Sequence, residues 1–293
     1  MDISIVIITH NNLRLLLPCL DSLKTSFTDS NLSYEVVVVQ NACGDDTEQI
    51  LKNKYPWVRS FVNPLNEGFS RANNHGIKMT SGNFVALLND DTLVMPGAFE
   101  KMLRFFETNP KIGAVGPKLL NPDMSLQTAG AKHNKLLYAG TKPVKRSFLG
   151  FAAVMFRKSM MNEIGLLDEN YFFYNEELDY LTRVRRAGFE CWYLPEAEIL
   201  HFGGQTTKTK RLDFEIEGIQ GTFYFLGKFY PEFYPAYRVL YGAFAILVFL
   251  FSPVLVLRQR SWEERKKYMD FYHRMLLLAL GWSRKKYVPR QFF

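Results

Sequence analysis

The sequence predicts an α/β fold, a mainly parallel sheet flanked by helices, with a helical tail behind it. Three observations predict it. Between residues 3 and 88, short apolar runs bounded by turn formers alternate with stretches of helical spacing, the pattern of a sheet built through right-handed crossovers. The first two runs end in the polar loops Thr9-His10-Asn11-Asn12 and Gln40-Asn41-Ala42-Cys43-Gly44-Asp45-Asp46-Thr47, and parallel strands gather such loops at one sheet edge. Near the end, residues 239–257 carry no charge and stand between Arg238 and Arg258.

The elements follow in order. Ile3 to Ile8 is the first strand, and Leu13 to Thr25 is a helix with Leu16, Leu20 and Leu23 on one face. Tyr34 to Val39 is the second strand, and its loop enters a helix near Glu48–Tyr55. Val58–Val62 is a third strand, Ala72–Met79 a helix, and Phe84–Leu88 a fourth, buried strand. From Gly113 the pattern changes. Gly113–Pro117 is a short strand, residues 121–143 are a polar excursion, and Phe148–Phe156 is a further strand. Phe172–Tyr180 runs into a helix over Leu181–Ala187 that Gly188 ends. Glu190–Leu194 is a strand, followed by His201-Phe202-Gly203-Gly204-Gln205. These elements divide the chain at residue 230, with a domain over 1–230 and a hydrophobic, basic tail over 231–293.

Composition narrows the function. Hydrophobic residues make up 47% and aromatics 15% of 293 residues, enough for a sizeable core and too many for disorder. The three cysteines, Cys19, Cys43 and Cys191, show neither a disulfide framework nor zinc spacing, which suits a reducing compartment. The start, Met1-Asp2-Ile3-Ser4-Ile5, has no basic region of the kind that opens a cleavable signal peptide. From Arg258 onward ten basic residues face three acidic ones, an excess equal to the whole net charge of +7. The body is therefore neutral, which argues against a nucleic-acid partner, and the tail suits an anionic surface.

The fourth strand stops at Asn89-Asp90-Asp91. Two carboxylates beyond a strand's carboxyl end are well placed to hold a hard divalent cation, and through it a diphosphate. A plain polar turn is the competing reading, since the same residues favour turns.

The ordered set of segments carries a resemblance. Ile7-Ile8-Thr9-His10-Asn11-Asn12, Val39-Gln40-Asn41-Ala42-Cys43-Gly44-Asp45, residues 66–74, Asn89-Asp90-Asp91, Glu176-Glu177-Leu178-Asp179 and His201 resemble the inverting glycosyltransferases of family 2, with the nucleotide-sugar-binding GT-A fold. Tyr174-Asn175-Glu176-Glu177 and His201-Phe202-Gly203-Gly204-Gln205 resemble the rhamnosyltransferase-like members. The resemblance covers about two-thirds of the chain, the size of a domain.

The resemblance implies roles. Asp91 is the metal ligand and His201 completes the site through a neutral imidazole nitrogen, the ion being Mg²⁺ or Mn²⁺. Asp90 bonds the ribose or supports the metal, and Asn89 stands where the family's motif has its first acid. Glu177 is the general base, with Glu176 and Asp179 as the next candidates; the family usually has Asp at the position of Glu177. Adjacent carboxylates repel and raise one another's pKa, which suits a base, while three acids in a helix's first turn also meet its dipole favourably. Thr9, Asn11, Gln40 and Asp45 line the base and ribose pocket, Gln40 replacing a common acid. Asn66, Arg71 and Asn73 bound the nucleotide or sugar pocket, Arg71 as a phosphate partner, with helix capping and surface polarity as the competing reading. Gln205 and the two threonines after it contact the diphosphate or acceptor.

The uncharged run Val239–Leu257 is 19 residues long, about the 20 that span a bilayer as a helix. A single span would carry the basic tail outside, against the positive-inside tendency. An interfacial or re-entrant helix, paired with Met275–Trp282, keeps the basic residues of Trp262–Arg274 and Ser283–Arg290 beside anionic lipid. A buried helix hairpin or an oligomer interface is the alternative.

Together these readings predict a metal-dependent inverting glycosyltransferase at the cytoplasmic face of the cell membrane. It would move a sugar, rhamnose by resemblance, from a nucleotide diphosphate sugar to a saccharide or lipid-linked acceptor in cell-surface polysaccharide synthesis. The rivals are a nucleotidyltransferase, which would show a Gly-rich basic loop after the first strand, and a non-catalytic membrane adaptor. A dinucleotide dehydrogenase is disfavoured, because no Gly-X-Gly-X-X-Gly follows the first strand.

Overall fold

Ile3, Ile5 and Ile7 lie on one face of the first strand and Val6 on the other, and all four are fully buried. A strand buried on both faces belongs in the middle of a sheet covered by helices. That is its place in the computed structural model, which describes residues 1–128, 138–203, 211–259 and 261–281. Strand β1 (Ile3–Thr9) pairs in parallel with β2 (Tyr34–Asn41) on one side and β4 (Phe84–Asn89) on the other. Beyond β2 lies β3 (Val58–Asn63), also parallel. The connecting helices are α1 (Leu13–Ser26), α2 (Thr47–Lys54) and α3 (Gly68–Lys78).

The sheet continues past β4 with mixed directions. Strand β8 (Ala153–Arg157) is antiparallel to β4 and to β6 (Ile112–Leu120), and β9 (Glu190–His201) is parallel to β6. The short strands β5 (Thr92–Val94) and β7 (Val144–Lys145) both pair antiparallel to β9. The described order is β3-β2-β1-β4-β8-β6-β9-β5, with β7 beside β9. The sheet expected to be mainly parallel is thus parallel over its first half and mixed over its second. Helices α4 (Ala98–Glu107), α5 (Lys158–Ile164) and α6 (Glu176–Arg186) complete this part. One core lies between the sheet and α1 and α4, the other under α5 and α6.

Several boundaries differ from the expected ones. Helix α6 starts at Glu176 rather than Leu181, because the acids occupy its first turn, where the helix dipole favours them. Strand β9 runs to His201 instead of stopping at Leu194; Pro195 is accommodated where the β6–β9 register shifts between Pro117 and Lys118, as expected of proline at a bulge. Of the run Phe148–Phe156, only Ala153 onward is strand. Residues 129–137 of the polar excursion, Gln205 with its two threonines, Trp282 and Ser283–Arg290 lie outside the described residues.

Contacts group the chain into two units. One comprises Met1–Glu169 and Glu177–Gly203, and the other Asn170–Glu176 with the described part of 204–288. The second unit contains α7 (Arg211–Phe229), α8 (Tyr234–Leu255) and α9 (Trp262–Ala279). The expected division at residue 230 leaves α7 with the first part, whereas its contacts group it with the tail.

Two details of the first unit yield stability predictions. Helix α3 rests directly on β1 and β2 at Gly76, where an added Cβ would collide with Val6 and lie 3.1 Å from Val39. Gly76→Val should destabilise the fold by about 1–3 kcal/mol in urea unfolding, through overpacking. Glu35 on β2 accepts hydrogen bonds from Ser4 Oγ (2.6 Å), Ser81 Oγ (2.8 Å) and Arg59 (3.0 Å). Burial pushes its carboxyl up, but these bonds outweigh burial and hold it at about 2. A depressed carboxylate contributes stability that is complete above its ordinary pKa and lost as pH falls toward the folded value. Stability of the wild type should therefore fall from pH 4.5 toward 2 more steeply than that of Glu35→Gln, measured by thermal unfolding across pH.

Candidate active site

The parallel strands decide where functional side chains collect. The carboxyl ends of β1, β2, β4, β6 and β9 share one edge, since β8 reverses once and β6 and β9 reverse back. Thr9, Gln40, Asn89 and His201 close β1, β2, β4 and β9 at or next to that edge. Open α/β sheets bind their ligands there.

Asp90 and Asp91 follow β4 and are 9% and 7% exposed. The short strand β5, unforeseen in the sequence, brings His201 to them across more than a hundred residues. Thr92 pairs with His201, and Phe202 N–H donates to the Asp91 carbonyl at 2.9 Å. His201 Nε2 then lies 3.2 Å from Asp91 Oδ1. Gln127 fixes the imidazole from behind. Its Nε2 donates to Asn121 Oδ1 (2.9 Å) and to the His201 carbonyl (3.0 Å), which turns its Oε1 onto His201 Nδ1 at 2.6 Å. An amide oxygen can only accept, so Nδ1 carries a proton, and in the neutral ring that tautomer leaves the Nε2 lone pair toward Asp91.

This pair suits a divalent cation. Two adjacent ligands of an octahedral Mg²⁺ or Mn²⁺, each about 2.1 Å from it, lie about 3.0 Å apart, close to the observed 3.2 Å. An imidazole held by an outer hydrogen bond is the usual arrangement of a ligating histidine. Among the described residues no group of three or more His, Cys, Asp or Glu gathers as a cage, so water and phosphate oxygens would supply the remaining ligands, as Mg²⁺ sites commonly arrange. Asp90 accepts a hydrogen bond from Asn12 Nδ2 at 2.9 Å. Burial first, and then the charge of Asp91, push the Asp90 carboxyl up to about 7 against that bond. Two buried carboxylates side by side favour a cation between them and solvent.

At the neighbouring strand ends, Thr9 and Gln40 are register partners, and each is 1% exposed. Gln40 Nε2 is buried without a hydrogen-bond partner, a costly state that a ligand acceptor relieves. Asn11, at φ 52°, accepts from Gly44 N at 2.7 Å and so ties the β1 loop to the β2 loop. The other candidates have local work. Asp45 is exposed and accepts from Thr47 N and Oγ1 at the start of α2. Asn66 joins Asn41 (2.9 Å) and Gly68 N (3.0 Å). Arg71 pairs with Glu169 at 3.2 Å, and Asn73 donates to Phe69 O within α3.

The acid cluster opens α6. Three residues separate its end from the start of β9. Glu176 is buried and Glu177 half-buried. Asp179 is 0% exposed and bound to Arg183 Nε at 2.7 Å, while Arg183 also donates to the carbonyls of Ile164 and Leu166. Asp179 therefore anchors the helix rather than facing a substrate. The two residues before Glu176 are strained: Tyr174 and Asn175 have φ of 68° and 70°, where non-glycine residues are rare. Helix α7 holds them so. Asn175 Nδ2 donates to Gly218 O at 2.9 Å, and a Cβ on Gly221 would lie 2.6 Å from Asn175 Nδ2.

The sequence model of Glycosyl transferase family 2 matches residues 4–165. The chain belongs to this family. An N-acetylglucosaminyl-diphospho-decaprenol L-rhamnosyltransferase of Mycobacterium tuberculosis is 26% identical over 207 residues, which cover 59% of this chain and 67% of the relative. A poly-β-1,6-N-acetyl-D-glucosamine synthase of Staphylococcus epidermidis is 27% identical over 176 residues, 56% of this chain and 41% of the synthase. Among solved structures, the mannosyltransferase PcManGT of Pyrobaculum calidifontis, in complex with GDP-Man and Mn²⁺, superposes with a TM-score of 0.60 at 13% identity, covering 97% of this chain and 88% of that one. GalNAc-T7 with UDP, GalNAc and Mn²⁺ gives the same score and identity over 96% of this chain and 56% of its own. These likenesses show the GT-A fold.

The family match ends before Glu176, so the acid cluster of this family 2 chain stands on its own geometry. Four contributors were missed in the sequence. Asn12 belongs to a segment already singled out, and its position opposite Asp90 was the available signal. Gln127 lies in an irregular polar stretch with no periodicity to mark it. Gly218 and Gly221 form a small-residue face on α7, three residues apart, which was a readable sign of close backbone approach.

Proposed function

We propose that this chain is a metal-dependent inverting glycosyltransferase that moves a sugar from a nucleotide diphosphate sugar to a hydroxyl of a lipid-linked saccharide. The observation that carries the reading is the imidazole of His201, held by Gln127 at Nδ1 with its Nε2 3.2 Å from Asp91. Asp91 and His201 would hold Mg²⁺ or Mn²⁺, which supplies neutralisation of the leaving diphosphate. Gln40 and Thr9 meet the base and ribose, and Asp90, steadied by Asn12, orients the ribose. Glu177 takes the acceptor's proton as its oxygen attacks the anomeric carbon from the face opposite the diphosphate, so configuration inverts and no covalent enzyme intermediate forms. Rhamnose is the preferred donor sugar, in line with the name of the mycobacterial relative.

A membrane acceptor accounts for the second unit. Val239, Leu240, Phe244, Leu247, Leu250 and Phe251 of α8 are all more than half exposed, while a stripe through Ala245 packs with Ile216 of α7 and Phe271, Met275 and Ala279 of α9. Residues 234–258 are long and apolar enough to cross a bilayer. Helix α9 argues for lying along the leaflet instead. It packs antiparallel to α8, with His273 beside Phe249 and Arg265 bonded to Gln259 O, and exposes Lys266, Lys267 and Asp270. A perpendicular α8 would draw those charges into hydrocarbon at up to about 2.5–3.5 kcal/mol each. An in-plane α8 buries its apolar face and leaves them at the cytoplasmic headgroups. A nucleotidyltransferase has no use for this surface, and an adaptor none for the site.

Binding of Mn²⁺ tests the donor half. The free-Mn²⁺ electron paramagnetic resonance signal should fall on adding protein with UDP, dTDP or GDP, and should stay unchanged with Asp91→Asn. Equal loss of signal for both proteins would refute the assignment.

A further inference from the structure

The second unit contains a cavity of about 740 Å³, lined by residues 170–174, one face of α7, the start of α8 and the end of α9. That volume lies within the range of ligand pockets, about 300–1,000 Å³. Seven of its sixteen lining residues are aromatic, Tyr171, Phe173, Tyr224 and Tyr234 among them. Asn170, which donates to the Tyr224 hydroxyl at 3.1 Å, and Gln220 supply polar groups. Two cations, Lys228 and Arg238, face one acid, the buried Glu217. Arg238 has no hydrogen-bond or ion-pair partner among the described residues, although it is partly buried.

The position of Arg238 is informative. It lines the cavity, and the next two residues, Val239 and Leu240, open the exposed apolar face of α8 with 71% and 72% exposure. A cation in the lining of a polar, aromatic cavity therefore adjoins an uncharged apolar track along the chain. Another lining residue, Tyr174, precedes Glu177 by three positions in the sequence. One class of molecule carries groups in this order: a prenyl chain, then a phosphate or diphosphate, then a sugar.

We infer that this cavity is the seat of the acceptor, a prenyl-diphosphate-linked saccharide, with Arg238 binding the phosphate, the aromatic walls packing the sugar and the α8 face guiding the chain. The inference rests on the glycosyltransferase reading and names its acceptor site. The planar guanidinium fork matches phosphate oxygens bidentately, and Lys228 adds a second charge. Glu217 accepts from sugar hydroxyls, which would otherwise find few acceptors among aromatic walls.

The test is calorimetric titration of the full chain, in EDTA so that the metal-dependent site takes no diphosphate. Three probes separate the sources of binding: farnesyl diphosphate, inorganic pyrophosphate and farnesol. Farnesyl diphosphate should bind at least about tenfold more tightly than either fragment. Arg238→Gln should weaken it by about tenfold or more, as expected on losing a charge-assisted hydrogen bond, with the melting temperature and Mn²⁺-dependent nucleotide binding unchanged, and Arg238→Lys should restore part. Farnesyl diphosphate binding no tighter than pyrophosphate, or equally tight to Arg238→Gln, would overturn the inference. If wild type binds farnesyl diphosphate in this way yet fails to bind nucleotide with Mn²⁺, the cavity stands and the donor assignment falls.

Discussion

Glu177→Gln should lower the rate of sugar transfer by about 10²–10⁴-fold, the usual worth of a positioned general base. The substitution keeps the side chain's shape and removes only its capacity to take a proton. Glu177 is the second residue of α6, half-buried in the first helical turn. The helix dipole helps to hold a negative charge there, and the strained residues Tyr174 and Asn175 fix the approach of the chain. Mn²⁺-dependent nucleotide binding should be unchanged, because the residues proposed to hold the donor sit at the ends of β1, β2, β4 and β9. The comparison with the neighbouring acids is diagnostic. Asp179→Asn should lower stability rather than chemistry, since it weakens the ion pair to Arg183 at 2.7 Å in the interior. A larger kinetic loss in Glu176→Gln than in Glu177→Gln would move the base by one residue. Gly221→Ala supplies a positioning control. It pushes on Asn175, so it should lower kcat with the apparent donor affinity held, and it should not alter the Mn²⁺ signal.

Asp91→Asn should abolish Mn²⁺ binding and reduce transfer by about 10²–10³-fold, comparable to removing one preorganised charge-stabilising group. Asparagine keeps one oxygen ligand and loses the charge. Gln127→Leu should act chiefly through His201, with the bond to Asn121 lost as well. It removes the acceptor at Nδ1 and frees the ring to rotate or exchange tautomers, and losses of an outer partner run to about 10–100-fold in metal affinity. Graded effects in the order Asp91→Asn, then Gln127→Leu, measured by Mn²⁺ titration, would separate ligation from orientation.

Much of the first half was legible in the sequence because its strands are continuous apolar runs and its helices keep one apolar face. Ile3–Ile8, Tyr34–Val39 and Phe84–Leu88 each fall inside an observed strand. The later strands were harder for physical reasons. Strand β5 has three residues and exists only because β9 offers it an edge. Strand β9 continues through Pro195, and a proline ordinarily argues against an inner strand. The start of α6 lies at the adjacent carboxylates, where the helix-first-turn reading put it and five residues before the expected boundary at Leu181.

The site was legible unevenly. Asp91 and His201 were nominated by order along the chain, and the fold brings them to 3.2 Å through a strand that no pattern announced. Gln40 was nominated as well, and its amide nitrogen is buried without a hydrogen-bond partner. Asp45, Arg71 and Asn73 were nominated on the same grounds, yet each has a partner in its own loop, helix or neighbouring turn. Residue type and order cannot distinguish a polar side chain that waits for a ligand from one that already has a partner. Burial and hydrogen bonding can.

The most direct measurement is release of nucleoside diphosphate from a panel of nucleotide sugars, with membrane lipid extract as acceptor source, in Mn²⁺ or in EDTA. The account predicts release from one donor, lost in EDTA and reduced by two or more orders of magnitude, ~10²-fold at least, in Glu177→Gln. Release that persists undiminished in both EDTA and Glu177→Gln would contradict it.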